Sequence, residues 1–275
     1  MRKTARKSAL FPTGFTLMEL VMTLVILGIV SAMVAVFLQK PIQGYFDATR
    51  RAQLVDAADF ALRRIARDLA TAVPNSVRSD ATRQFMELLQ SRSGGRYCNA
   101  ADCGNPLLDA DTTFSVIGPA VSVATGDSVV IGNLPNSGCD AYSAASPNRR
   151  SLNFVSSPTA TIQFTGAAFS SSCAEITNRV EIVAGPVTYA CDSATQTLWR
   201  YSGYAIQASQ PASIATLDGL AGVVKAALAT NVNCAGTSLD AAAVGEGLVE
   251  LRIQLQDSSG ESVNLYRQVK VDNTP

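Results

Sequence analysis

The chain has 275 residues, 47% hydrophobic and 16% charged, with 22 basic and 22 acidic side chains, six cysteines and no histidine. The missing histidine excludes Ser-His-Asp and Cys-His nucleophilic catalysis. The balanced charge lacks the basic excess with which a protein engages nucleic acid. In chain order, the first element is a leader, residues 1–14, carrying Arg2, Lys3, Arg6 and Lys7 and no acid. The positive-inside rule keeps that end cytoplasmic and sends the residues beyond the next segment across a membrane.

That next segment, residues 15–40, predicts a transmembrane helix. A single carboxylate, Glu19, is followed by uncharged, mostly apolar sequence to Leu38. A helix over residues 15–38 is about 36 Å long at about 1.5 Å per residue, enough for a hydrocarbon core of about 30 Å. A cleaved secretory signal is the competing reading. It needs a small-residue site after the apolar core, and Val36-Phe37-Leu38-Gln39-Lys40-Pro41 offers none; Ser31-Ala32-Met33 lies inside the run. An acid in such a segment is costly unless it reaches water or a partner, which makes Glu19 a candidate functional residue.

Gly14-Phe15-Thr16-Leu17-Met18-Glu19-Leu20, behind a basic leader and ahead of an apolar helix, resembles the processing site of type IV prepilins and the related secretion pseudopilins. The resemblance implies that a prepilin peptidase/methyltransferase cuts between Gly14 and Phe15 on the cytoplasmic side and methylates the Phe15 amine. Gly14, with no side chain, lets a protease approach the backbone closely. The resemblance further implies that Glu19 meets the amine of a neighbouring subunit in a filament, each charge offsetting the other's desolvation. Loss of the leader leaves 18 basic against 22 acidic side chains, so no nucleic-acid partner is expected.

Residues 41–73 predict an amphipathic helix that resumes after an interruption at Pro41. Leu54, Ala58, Ala61, Leu62, Ile65 and Leu69 form one apolar stripe, expected to lie on a small sheet. Arg50, Arg51, Arg63, Arg64 and Arg67 alternate with Asp47, Asp56, Asp59 and Asp68, the pattern of a solvated face. Residues 74–275 predict an extracytoplasmic head. Short helices are expected at 81–90 and 214–229. Strands are expected at 113–117, 128–131, 152–155, 160–165, 179–184, 186–191 and 196–204. The clearest element is a hairpin, 248–256 and 262–271, where Val249, Leu251, Ile253 and Leu255 alternate with polar residues. Ser/Ala/Gly-rich runs at 141–151, 166–172 and 235–247 predict loops. A long helix followed by antiparallel strands gives an α+β fold class.

Cys98, Cys103, Cys139, Cys173, Cys191 and Cys234 all follow the membrane segment, so disulfides are expected. Fifteen complete pairings exist. Cys98 and Cys103 are close enough to staple the loop between them, Cys173 and Cys191 bracket a strand and its turn, and Cys139 and Cys234 then remain. Cys98 and Cys103 also have a metal-like spacing, but without histidine a zinc site is disfavoured. No metal or cofactor is expected. Asp102, Asp109 and Asp111 cluster in one Gly/Asn-rich segment that suits a solvated loop better than an active site and lacks the spacing of a calcium loop. Trp199, Tyr201 and Tyr204 form the densest aromatic group, expected to pack first and bind second.

Several segments extend the resemblance. They are Ile42–Phe46, Arg50–Asp56, Ala61–Leu69, Pro74–Arg78, Gly94–Tyr97, Leu198–Tyr201 and the ending Tyr266–Pro275. Together they are similar to the O-type minor prepilins of the mannose-sensitive haemagglutinin (MSHA) pilus system. The similarity implies a pilin-like fold and a low-abundance, non-enzymatic subunit that helps build or prime a thin surface pilus. Its implied partners are major and other minor pilins, an inner-membrane assembly platform and the lipid bilayer. The implied location is the bacterial inner membrane, with a periplasmic head. A minor pseudopilin of type II secretion is the alternative within the class. A membrane-anchored carbohydrate-binding or hydrolytic head is the alternative outside it.

Overall fold

A computed structural model describes residues 14–107, 112–174, 176–241 and 247–271. The leader before Gly14, Asp109, Asp111 and the last four residues lie outside them. The chain divides into two compact units, Met1–Ala52 and Gln53–Pro275. An α-helix, α1, occupies Leu17–Leu69, and antiparallel strands come after it, the expected α+β order. Pro41 lies inside α1 without ending it. It removes one backbone donor, and the helix expected to be interrupted there is continuous. From Gly14 through Gln53 every residue is exposed, so the first unit presents apolar side chains all round. The buried stripe begins at Leu54 and comprises Leu54, Ala58, Ala61, Leu62, Ile65 and Leu69, the residues the spacing predicts, together with Asp68.

The second unit is built on two strands that are long by ordinary standards. The first of them, β2 (Phe85–Tyr97), comes after the short β1 (Arg78–Ser79). The strands β3 (Thr113–Ile117), β4 (Ser128–Ile131), β5 (Arg149–Leu152) and β6 (Thr161–Thr165) come next, then the second long strand, β7 (Arg179–Asp192). Pairing runs β2–β3–β6–β5–β4–β7, and β7 pairs back on β2 from Phe85↔Ala190 to Arg96↔Arg179. Six antiparallel strands therefore close a ring. Alternate residues Phe114, Val116, Val129, Ile131, Ile162, Phe164, Val180 and Ile182 form a single core cluster within it. Closure leaves no free edge in this part of the sheet.

The far half of β7 continues into an open sheet with β8 (Thr197–Ser202) and β9 (Val224–Ala229). A separate three-stranded sheet holds β10 (Ser238–Asp240), β11 (Leu248–Gln256) and β12 (Ser262–Lys270). The main core joins the helix stripe to Met86, Leu88, Val187, Tyr189 and Leu198 of the large sheet and to Val249, Leu251, Ile253 and Leu255 of the small one. Gly95 is required where β2 passes close to Val116 of β3: a Cβ there would stand 2.7 Å from Val116 Cγ1.

The structure corrects four local expectations. The helix expected at 81–90 is the start of β2. Phe85, Met86, Leu88 and Leu89 mimic helical spacing because both faces of this strand are buried: Met86 and Leu88 pack toward the helix, while Phe85 and Leu89 enter other clusters. Double burial erases the period of two. At 214–229 the helix α2 covers only Ile214–Asp218. Gly222 at φ 76° turns the chain, and the Ala-rich remainder pairs as β9, tertiary pairing overriding helix propensity. The two strands expected at 179–184 and 186–191 are one, because Gly185 (φ 131°) adjoins a bulge in the β2–β7 ladder instead of a turn. The strand expected at 152–155 is shifted to Arg149–Leu152.

Candidate functional site

The residues singled out for processing sit at the very start of the helix. Gly14, Phe15 and Thr16 precede it in non-helical backbone, and all are exposed. The Gly14–Phe15 peptide thus lies outside the helical hydrogen-bond ladder, and the space around Gly14 is open. Thr16 is the residue sequence reasoning missed. Its Oγ1 accepts the Glu19 N–H at 3.3 Å, and its carbonyl accepts the Leu20 N–H at 3.1 Å. Thr16-Leu17-Met18-Glu19 has the spacing of a capping box, a signal legible as Thr-x-x-Glu. Glu19 also lies in the first turn, where a carboxylate is favoured by the unpaired N–H groups of the helix start.

Beyond Glu19 the next charge is Lys40. The uncharged residues between them span about 30 Å at about 1.5 Å per residue, the thickness of a bilayer core. The helix is long and apolar enough to cross a membrane. Tyr45 and Phe46, in edge-to-face contact at 6.0 Å, come after Lys40 at the position where aromatic and basic side chains favour an interface. This length, exposure and composition suit a single-pass membrane anchor.

The solvated face stands at Asp47, Arg50, Arg51, Asp56, Arg63 and Arg67, which are exposed, but Asp68 departs from it, and two buried polar clusters occur in the head. Asp68 is buried. Its Oδ2 accepts Tyr189 Oη at 2.6 Å and Arg200 Nε at 2.7 Å, and its Oδ1 lies 3.4 Å from Arg64 Nε. Burial, then the hydrogen bond to Asp68, pushes the Tyr189 hydroxyl well above its usual range. Burial alone would lower Arg200; the Asp68 bond reverses that and holds it raised. The second cluster surrounds Glu87, which is fully buried. Arg78 Nη2 lies 2.6 Å from Glu87 Oε2, Tyr204 Oη donates to Oε1 at 2.9 Å, and Thr188 bonds Tyr204 at 2.5 Å. Burial raises the Glu87 carboxyl, against the opposing pull of Arg78.

The aromatic group is mainly packing. Tyr201 and Tyr204 are buried, and Trp199 is half-buried with Lys225 Nζ 4.4 Å from its ring centre. The carboxylates nearest these rings are tied up, Asp218 by Tyr201 and Lys225 and Glu87 by Arg78 and Tyr204. Asp102 is exposed on a short 3-10 turn. No group of three or more metal-binding side chains occurs among the described residues.

All six cysteines are oxidised, paired Cys98–Cys103, Cys139–Cys173 and Cys191–Cys234. The first pair is the expected staple. The expected Cys173–Cys191 pairing is corrected: these residues belong to different cores. Cys139 and Cys173 sit in the ring's cluster, and Cys191 and Cys234 in the helix-facing one. Closeness along the chain was a poor guide because β7 runs from one core into the other.

Compared with known family models, with curated proteins and with solved structures, the chain matches none.

Proposed function

We propose that this protein is a minor pilin-like subunit, processed at Gly14–Phe15, which assembles through its N-terminal helix into a type IV pilus of the MSHA kind or primes it. The observation that carries the reading is one local arrangement. An exposed, non-helical Gly14–Phe15 peptide abuts a capped helix whose first turn holds Glu19 and whose next stretch is uncharged for about one bilayer thickness. A peptidase needs backbone free of helical bonding; a filament subunit needs a long apolar helix that can leave lipid for like neighbours. In this reading the leader remains cytoplasmic, the head is periplasmic, and Glu19 neutralises the methylated Phe15 amine of an adjacent subunit. The head serves as a structural module without catalysis. Support for that comes from its carboxylates near the aromatic group, which are consumed in ion pairs and hydrogen bonds.

The test is the intact mass and the N-terminal peptide mass of the chain produced in its own cell. The expected product begins at N-methylated Phe15. A retained Met1, or a cut near residue 38, overturns the proposal. A type II secretion pseudopilin would be processed identically. Co-purification with pilus subunits is the expected outcome, and recovery only with secretion-machine subunits replaces the pilus assignment.

A further inference from the structure

The long strand β7 changes partners partway along one edge. Residues 180–183 pair with β4 and residues 188–192 with β8. Residues 184–187 between them have no strand on that edge, and Ala184 is passed over on the β2 side as well. A cleft of about 500 Å³ opens at this gap, within the size range of small-ligand sites. Arg92, Asp127, Arg149 and the hydroxyl residues Thr125, Ser128 and Ser151 line it.

Its charges do not cancel. Arg92 is committed to Asp127 by two hydrogen bonds, at 2.7 and 3.1 Å. Arg149 has no such partner among the described residues. Its Nη1 donates to the Ala141 carbonyl at 2.5 Å and its Nη2 to the Ser143 carbonyl at 3.3 Å. Neutral carbonyls orient a guanidinium without neutralising it, and five N–H donors leave several to spare. Burial lowers the Arg149 pKa; Asp140 opposes this from nearby but neither lines the cleft nor forms an ion pair with Arg149 among the described residues. The lining therefore carries one positive charge beyond its own balance. A half-buried cation without an ion-pair partner is costly, and one anion would offset that cost through charge-assisted hydrogen bonds.

The polar lining narrows the ligand. Three hydroxyl side chains and a bare strand edge can both donate and accept around one cation. That matches a monoanion bearing several hydroxyl groups more closely than a bare carboxylate or a multiply charged phosphate. We propose that this cleft binds an acidic sugar unit, its carboxylate on Arg149 and its hydroxyls on the serine and threonine side chains and the open edge of β7. The site is independent of how the N-terminus is processed. A second groove, of about 420 Å³ beside Asn231 and Asn233, is lined by one charged side chain, Asp257, whose carboxylate already accepts hydrogen bonds from Ser259 and Glu261.

The test uses the full chain in lipid nanodiscs, titrated with glucuronate, glucose, acetate and inorganic phosphate and followed by ligand-observed NMR. Glucuronate should bind at least tenfold more tightly than each of the other three and weaken as salt rises. Arg149→Gln should weaken it at least tenfold. Because that substitution also releases two loop carbonyls, Ser151→Trp is the second variant: Ser151 is exposed, and the indole fills the cleft while Arg149 is kept. Loss of glucuronate binding in Ser151→Trp, with native near-ultraviolet dichroism and three disulfides retained, supports the site. Absence of glucuronate binding in the parent chain, or binding unchanged in Ser151→Trp, overturns it. Acetate or phosphate binding as tightly as glucuronate overturns the sugar assignment.

Discussion

Tyr189 on β7 donates its hydroxyl to Asp68 on α1 at 2.6 Å, and Arg200 on β8 donates to the same carboxylate oxygen at 2.7 Å. The helix and two consecutive strands more than a hundred residues further along the chain thus meet at one buried charge. The arrangement fixes how the apolar stripe of the helix registers on the sheet, because hydrophobic contact alone is non-directional.

Removing one partner of a buried pair exposes the cost of the other. Asp68→Ala should destabilise the head by about 3 kcal/mol, since Arg200 is left without its counter-ion. Tyr189→Phe should cost about 1 kcal/mol, one hydrogen bond with Arg200 still in place. Urea unfolding in nanodiscs, followed by Trp199 fluorescence, checks the order. Equal costs for the two variants would contradict a charge-centred cluster.

Glu87 predicts a pH dependence of opposite sign to that of an ordinary salt-bridged carboxylate. Burial raises its folded pKa above the ordinary value of 4.5, so the folded state holds this proton more tightly than the unfolded state. Its contribution is fully present below about pH 4.5 and is lost as pH rises through the folded pKa. Glu87→Gln cannot titrate at this position. The stability difference, parent minus variant, should therefore fall as pH increases from 4 to 7 in urea titrations. A difference that grows with pH would show that Arg78 outweighs burial.

The disulfides should differ in weight by the loops they close. In the chain-entropy model, Cys191–Cys234, spanning 43 residues, contributes about 4 kcal/mol. Cys98–Cys103, spanning five, contributes about 2 kcal/mol. Paired serine substitutions at each bridge, compared by denaturant midpoint, test the ranking. The Cys191–Cys234 variant should also loosen the helix-facing core and leave the ring's core protected from hydrogen exchange.

At the helix start, the cap and the charge can be separated. Thr16→Ala removes the side-chain cap and should cost about 1 kcal/mol of local helix stability, read as faster amide exchange in the first turn. Glu19→Gln keeps the backbone N–H that Thr16 accepts and removes only the charge. It should leave the helix start protected and reduce recovery in assembled filaments at least tenfold. Normal assembly of Glu19→Gln would leave the acid a capping residue only.

Local patterning was sufficient for much of this chain. The 3.6-residue spacing from Leu54 to Leu69 identified the buried helix stripe residue for residue, and strict alternation identified the β11–β12 hairpin. The uncharged run after Glu19 identified the membrane-length helix. Each is a one-dimensional period imposed by one apolar face, so it survives in the amino-acid order. The rest depended on contacts that no period encodes. Strand β2 resembled a helix because both its faces are buried, one in the helix-facing core and the other in two smaller clusters, and Gly185 resembled a turn although the strand runs through it. The closure of β2 and β7 into a ring separated Cys173 from Cys191. Asp68 looked like part of a solvated charged face until Tyr189 and Arg200, more than a hundred residues away, were brought against it. The arginine-lined cleft exists only because β7 exchanges one neighbour for another, a property of the assembled sheet.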